Sequence, residues 1–119
     1  IRGWHTVRFA APELLIDEAI SAGRTRSKTP ESDVYAFGML VLQAFTGKRP
    51  WPDCSKYVVL LNVGSGHTHP RPNGGALSRD ERAWDLCVWC WGEDPSSRPS
   101  MHDVRATLVC RVVIQPAMP

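Results

Sequence analysis

The chain has 119 residues, 43% of them hydrophobic, with five Trp and a formal charge of +2. A domain of this size buries only about two-thirds of the surface of its unfolded chain, so a missing packing layer would be felt in its core. The near-neutral charge supports no argument for nucleic acid, a membrane surface or an acidic partner.

Ile1 stands where a translated chain would have Met, so the expected start lies inside a longer product. Residues Ile1 to Thr6 lack the apolar centre of a signal peptide. Residues Ile1 to Ala11 read as extended or irregular, and Pro12 can open a short helix at its first position. Ala22 to Lys28 reads as a basic, solvated loop. Thr29-Pro30-Glu31-Ser32-Asp33 offers two N-caps, Thr29 with Pro30 in the first turn, or Ser32. From Val34 to Phe45 no residue is charged, and Gly47 supplies a stop. A helix apolar on nearly all faces belongs at the centre of a globular lobe. This stretch is about half of the ~20 residues that span a bilayer.

Asp53 or Ser55 can cap a further helix, Lys56 to Val63, closed by Gly64. Pro70, Pro72 and the pair Gly74-Gly75 make the stretch from Ser65 to Ala76 a loop, in which His67 and His69 read as solvated. Ser78 to Glu81 has the form of a capping box, followed by a stripe of Trp84, Cys87, Val88 and Trp91. Gly92 and Pro95 end that helix. Ser100, with Asp103 three residues on, starts a last one whose buried side is Met101, Val104 and Leu108. The expected class is all-α, with four main helices or five and no strand. Cys54, Cys87, Cys90 and Cys110 could suggest disulfides, but two of them lie within a helical pattern and no secretory signal precedes them. A reduced, cytoplasmic protein is the expectation. Cys87 and Cys90 have zinc-knuckle spacing without a second Cys pair, so helix packing is preferred to a metal site.

Four motifs in order resemble the end of a eukaryotic-type protein kinase domain. Thr6-Val7-Arg8-Phe9-Ala10-Ala11-Pro12-Glu13 resembles the substrate-positioning loop followed by the family's Ala-Pro-Glu motif. Ser32-Asp33-Val34-Tyr35-Ala36-Phe37-Gly38 resembles the start of the family's central helix. Thr46-Gly47 with Pro50-Trp51 fits the stretch after that helix, and Cys90-Trp91, Asp94-Pro95 and Arg98-Pro99 match C-W-x-x-D/N-P-x-x-R-P. The resemblance implies the helical part of the C-terminal lobe over residues 1–112, with a tail over 113–119.

It also implies roles. Thr6, Val7 and Arg8 would form the substrate-positioning loop, with Thr6 leaning towards Ser/Thr specificity within the tyrosine-kinase-like group. His5 replaces the Gly usual before that Thr. Ala11, Pro12, Glu13, Asp33, Gly38 and Arg98 would be structural, Glu13 and Arg98 as a buried ion pair. In the family this Asp accepts bonds from the catalytic loop, so Asp33 would be either a buried acceptor without its donors or a plain N-terminal helix charge. The parent domain would use ATP and Mg²⁺, but the glycine-rich cover, the Lys–Glu pair, the catalytic Asp and Asn and the Mg²⁺-binding Asp are not among these residues. Gly64-Ser65-Gly66 lacks the third glycine and follows a helix. No catalytic, cofactor-binding or metal-ligating residue is therefore assigned. Expected partners are the upstream part of the kinase domain and protein substrates or docking proteins, without nucleic acid or membrane. The chain alone is expected to be inactive and to expose apolar surface. The alternative is a non-catalytic helical docking module, related to a pseudokinase.

Overall fold

The computed structural model describes residues 4–15, 28–75 and 80–114, with the side chains of residues 4–6 and 110–114 outside the description. A 3-10 helix, Trp4–Phe9, is followed by a helical turn at residues 12–15. Four α-helices follow: α1 Pro30–Thr46, α2 Lys56–Gly64, α3 Glu81–Cys90 and α4 Met101–Ile114. A second 3-10 turn, Pro95–Ser97, joins the last two. Among the described residues there is no strand, so the all-α reading holds. No described helix is long and apolar enough to cross a membrane.

Between the two cap choices at α1, the chain uses Thr29. Its side chain accepts from the Ser32 amide while the Ser32 hydroxyl accepts from the Thr29 amide, a reciprocal box with Pro30 in the first turn. At the other end Gly47 takes φ 71°, and its N–H closes onto the Gln43 carbonyl. Ser55, not Asp53, caps α2. The cap of α3 differs from the sequence reading: Asp80 accepts from the Ala83 amide, and Ser78 lies outside the described residues. An aspartate one residue before the helix does the same work as the serine of a box. Ser100 and Asp103 cap each other's backbone at α4 as expected. The segment Trp4–Phe9 is a 3-10 helix and not extended, because Arg8 and Val7 are drawn inward by tertiary bonds that no local pattern announces. His5 sits inside this right-handed turn, so the replacement of Gly imposes no left-handed backbone there.

Two apolar clusters form. The larger gathers Val34, Tyr35, Met39 and Leu42 of α1 with Ala83, Leu86, Cys87 and Cys90 of α3, Trp91, Val104 and Ala11. Each fully buried Leu or Met contributes about 1.5–3 kcal/mol. The smaller joins Val7, Leu15 and Trp51 to Val59 and Val63 of α2. The buried stripe of α3 runs 83, 86, 87, 90, turned from the expected one, so that Val88 is 47% exposed and Trp84 is partly buried. Met101 on α4 is likewise exposed, while Val104 is fully buried.

Gly38 marks the closest approach of α1 to α3. A Cβ there would lie 2.7 Å from Cys90 Cβ and 2.8 Å from Trp91 Nε1, so α1 and α3 touch backbone to side chain. Leu40, on another side of α1, is 53% exposed, which corrects the picture of a helix buried all round. The described neighbours cover only part of its circumference. A groove of about 720 Å³ also opens between α1, α3 and α4, lined by Val41, Phe45, Leu86, Trp89 and Leu108 among others. Apolar surface is thus left uncovered among the described residues.

Replacing Gly38 with Ala is expected to destabilise the chain by about 1–3 kcal/mol through overpacking. Urea unfolding followed by far-UV circular dichroism reads this, and an unchanged midpoint would contradict the close contact.

Candidate functional site

Arg98 leaves the second 3-10 turn with extended backbone, and its guanidinium enters the protein completely. Nη1 and Nη2 donate to the two carboxylate oxygens of Glu13, each at 2.8 Å. Nη1 also donates to the Glu31 carbonyl at 2.9 Å and Nε to the Gly92 carbonyl at 2.7 Å. The Tyr35 ring lies beneath, 5.1 Å from the guanidinium carbon. One side chain thereby ties residues 12–15, the start of α1 and the end of α3 together. Burial pushes the Tyr35 hydroxyl up to about 12, against the pull of Arg98.

A second arginine does comparable work. Arg8 is buried and donates from Nη1 to the carbonyls of Pro50 and Trp51 and from Nη2 to that of Cys54, the last at 2.8 Å. Its acceptors are neutral, and burial, followed by the nearby Arg49 charge, lowers its pKa. The loop it grips is bent sharply, since Trp51 takes φ 54°, an uncommon conformation for a non-glycine residue. His69 holds the same bend from the other side. Its Nε2 accepts from the Trp51 amide at 3.0 Å and its Nδ1 donates to the Pro70 carbonyl at 2.7 Å, which fixes a neutral tautomer. The ring lies 4.8 Å from Trp51 and 6.1 Å from Trp91, and Trp91 meets Trp84 edge-on at 5.6 Å. His69 is therefore a buried joint between the two apolar clusters and not the solvated loop residue expected.

The residues singled out by sequence fall into two groups. Ala11 and Pro12 are buried, Glu13 meets Arg98, and Gly38 sits under Trp91. Val7 is buried in the smaller cluster beside α2, and Arg8 grips the following loop. Thr6 shares their 3-10 helix, with its side chain outside the described part. Asp33 stands apart. It is exposed in the first turn of α1, where it acts as a helix N-terminal charge. The sequence reading missed His69 and the grip of Arg8; a buried side chain bonded across 18 or more residues leaves no local signature.

The described residues contain no cluster of three His, Cys, Asp or Glu able to hold a metal. Burial pushes the Cys87 thiol up to about 12 and the Cys90 thiol up to about 11, which makes them packing groups and poor thiolate ligands. The arrangement holds residues 7–13 in place through Arg8 and the Glu13–Arg98 pair.

Comparison with known proteins identifies the segment. Residues 2–108 match the family of protein tyrosine and serine/threonine kinases, and the chain belongs to that family. It is 38% identical over 107 residues to the proto-oncogene tyrosine-protein kinase ROS of Gallus gallus, an alignment covering 89% of this chain and 4% of that protein. It is 30% identical over 109 residues to the inactive tyrosine-protein kinase 7 of the same organism, covering 90% and 9%. A probable serine/threonine-protein kinase of Dictyostelium discoideum is 29% identical over 99 residues, covering 83% and 7%. The chain thus spans less than a tenth of the length of these three relatives, and it corresponds to the helical C-terminal lobe of the kinase fold.

Two measurements test the site. Glu13→Gln and Arg98→Met are each expected to cost about 3–5 kcal/mol, because each leaves a buried polar partner unmatched. The double variant should cost much less than their sum in equilibrium unfolding; additive losses would mean the two side chains act separately. His69, whose pKa is lowered by burial, favours its neutral form in the folded chain. Stability from it is full above the unfolded value of about 6.5 and is lost as pH falls from there through the folded value. The difference in unfolding free energy between the native chain and His69→Gln should shrink on acidification below about pH 6.5.

Proposed function

We propose that this chain is the substrate-docking part of a protein kinase domain whose upstream part binds ATP and Mg²⁺ and transfers the γ-phosphate to a protein hydroxyl. The observation that carries this reading is the double fastening of Val7 to Glu13: Arg8 grips the loop after α1, and Glu13 is locked to Arg98. Phosphoryl transfer depends on positioning and charge neutralisation, so a rigid shelf for the acceptor peptide is a functional part in itself. In this reading residues 1–112 form the partial kinase domain and 113–119 a tail. Thr6, Val7 and Arg8 line the substrate-positioning loop, and the chain by itself transfers nothing.

Thr6 supports Ser/Thr as the accepting residues. The ROS relatives, which are named as tyrosine-protein kinases, support Tyr instead. A second reading, a non-catalytic docking module, draws support from the similarity to the inactive tyrosine-protein kinase 7.

The test joins this segment to its own upstream coding sequence and assays transfer from ATP to Ser, Thr and Tyr peptide pools with Mg²⁺. Transfer to one pool is expected, and Glu13→Gln should lower it by about a hundredfold through a displaced loop. A folded domain that transfers to none of the pools would leave the docking reading in its place.

A further inference from the structure

The loops on either side of the Trp51 bend enclose a cleft of about 520 Å³, walled in part by Pro52, Pro70 and Pro72. Three cationic side chains, Lys48, Arg49 and Arg71, line it against one carboxylate, Asp53. Arg71 is already engaged, with Glu81 at 2.8 Å and with the Trp84 ring. Lys48 and Arg49 are exposed and have no ion-pair partner among the described residues. Arg8, which grips the same loop, spends its donors on neutral carbonyls and feels Arg49 as a repelling like charge. The net charge of +2 for the whole chain hides this local excess of positive charge.

We propose that this cleft docks an extended, acidic peptide segment of a partner protein, independently of any phosphoryl transfer. The charge argues for carboxylates, because two exposed cations with no ion-pair partner among the described residues favour an incoming anion. The dimensions argue for a peptide: the cleft far exceeds the roughly 30 Å³ share of one water, and its rigid proline walls suit an extended backbone. The shape is already present, since Arg8, His69 and the Trp51 bend fix the loop that carries Lys48 and Arg49. Preorganisation of this kind lowers the ordering cost of binding.

Fluorescence anisotropy of a labelled short peptide of Asp, Glu and Pro, titrated with the full chain, tests the proposal. Its Asn/Gln counterpart and a single-stranded oligonucleotide of equal charge serve as comparisons. Binding of the acidic peptide is expected, weakened about tenfold by the double change Lys48→Glu and Arg49→Glu and about tenfold by the neutral peptide. Asp53→Lys should tighten it. Unchanged binding in the double variant with its helical dichroism intact would overturn the proposal. So would equal binding of the neutral peptide or of the oligonucleotide. If the double variant loses its helices, Asp53→Lys decides: tighter binding supports the cleft and unchanged binding refutes it.

Discussion

The burial of one guanidinium joins three separate parts of the described structure. An arginine removed completely from water costs several kcal/mol unless its charge is met and its donors are filled. Arg98 meets both conditions with a bidentate carboxylate and two backbone carbonyls drawn from positions 13, 31 and 92. Those acceptors belong to three different elements, so the pair has no meaning until residues 12–15, α1 and the end of α3 are already together. It therefore specifies an arrangement more than it adds stability, since apolar residues of the same shape could pack there without the desolvation cost.

The second constraint depends on the first. With Glu13 fixed, the segment before it needs a lateral support, and Arg8 provides it by gripping the loop at Pro50, Trp51 and Cys54. That loop can accept the grip only in a bent form, with Trp51 at positive φ. His69 holds the bend through the Trp51 amide and fills the space between Trp51 and Trp91 with its ring. Two arginines, one histidine and a chain of indoles thus connect the α1–α3 core to the α2 core.

Local chemistry made much of this readable beforehand. The Thr29-Pro30 cap and the Gly47 stop bound α1 because side-chain capping and left-handed glycine act within a few residues. Ser55 and Ser100 mark their helices for the same reason. The Glu13–Arg98 pair was legible only through resemblance, since 85 residues separate its members. The face of α3 was misjudged by one position. A stripe starting at Trp84 and one starting at Ala83 have the same period, and the close approach of Cys90 to Gly38 fits the second. His69 was read as solvated because its neighbours are Pro, Thr and Gly-rich sequence. Its partner Trp51 is close in space and 18 residues away in the chain.

The same logic separates the polar groups that face inward from those that face outward. The polar groups of high cost, Arg98, Arg8 and His69, are engaged with backbone and, for Arg98, with the Glu13 carboxylate. Catalytic groups are usually left with unmet capacity so that a substrate can fill it, as in sites with perturbed titration next to an open cleft. Here the strongly perturbed groups, Tyr35, Cys87 and Cys90, are buried in packing contacts, whereas the unmatched charges, Lys48 and Arg49, lie at the surface of a cleft. The internal structure is closed and the outer rim is open. Among the described residues, then, the costly polar groups bind backbone inside the fold, and the exposed cations face the cleft.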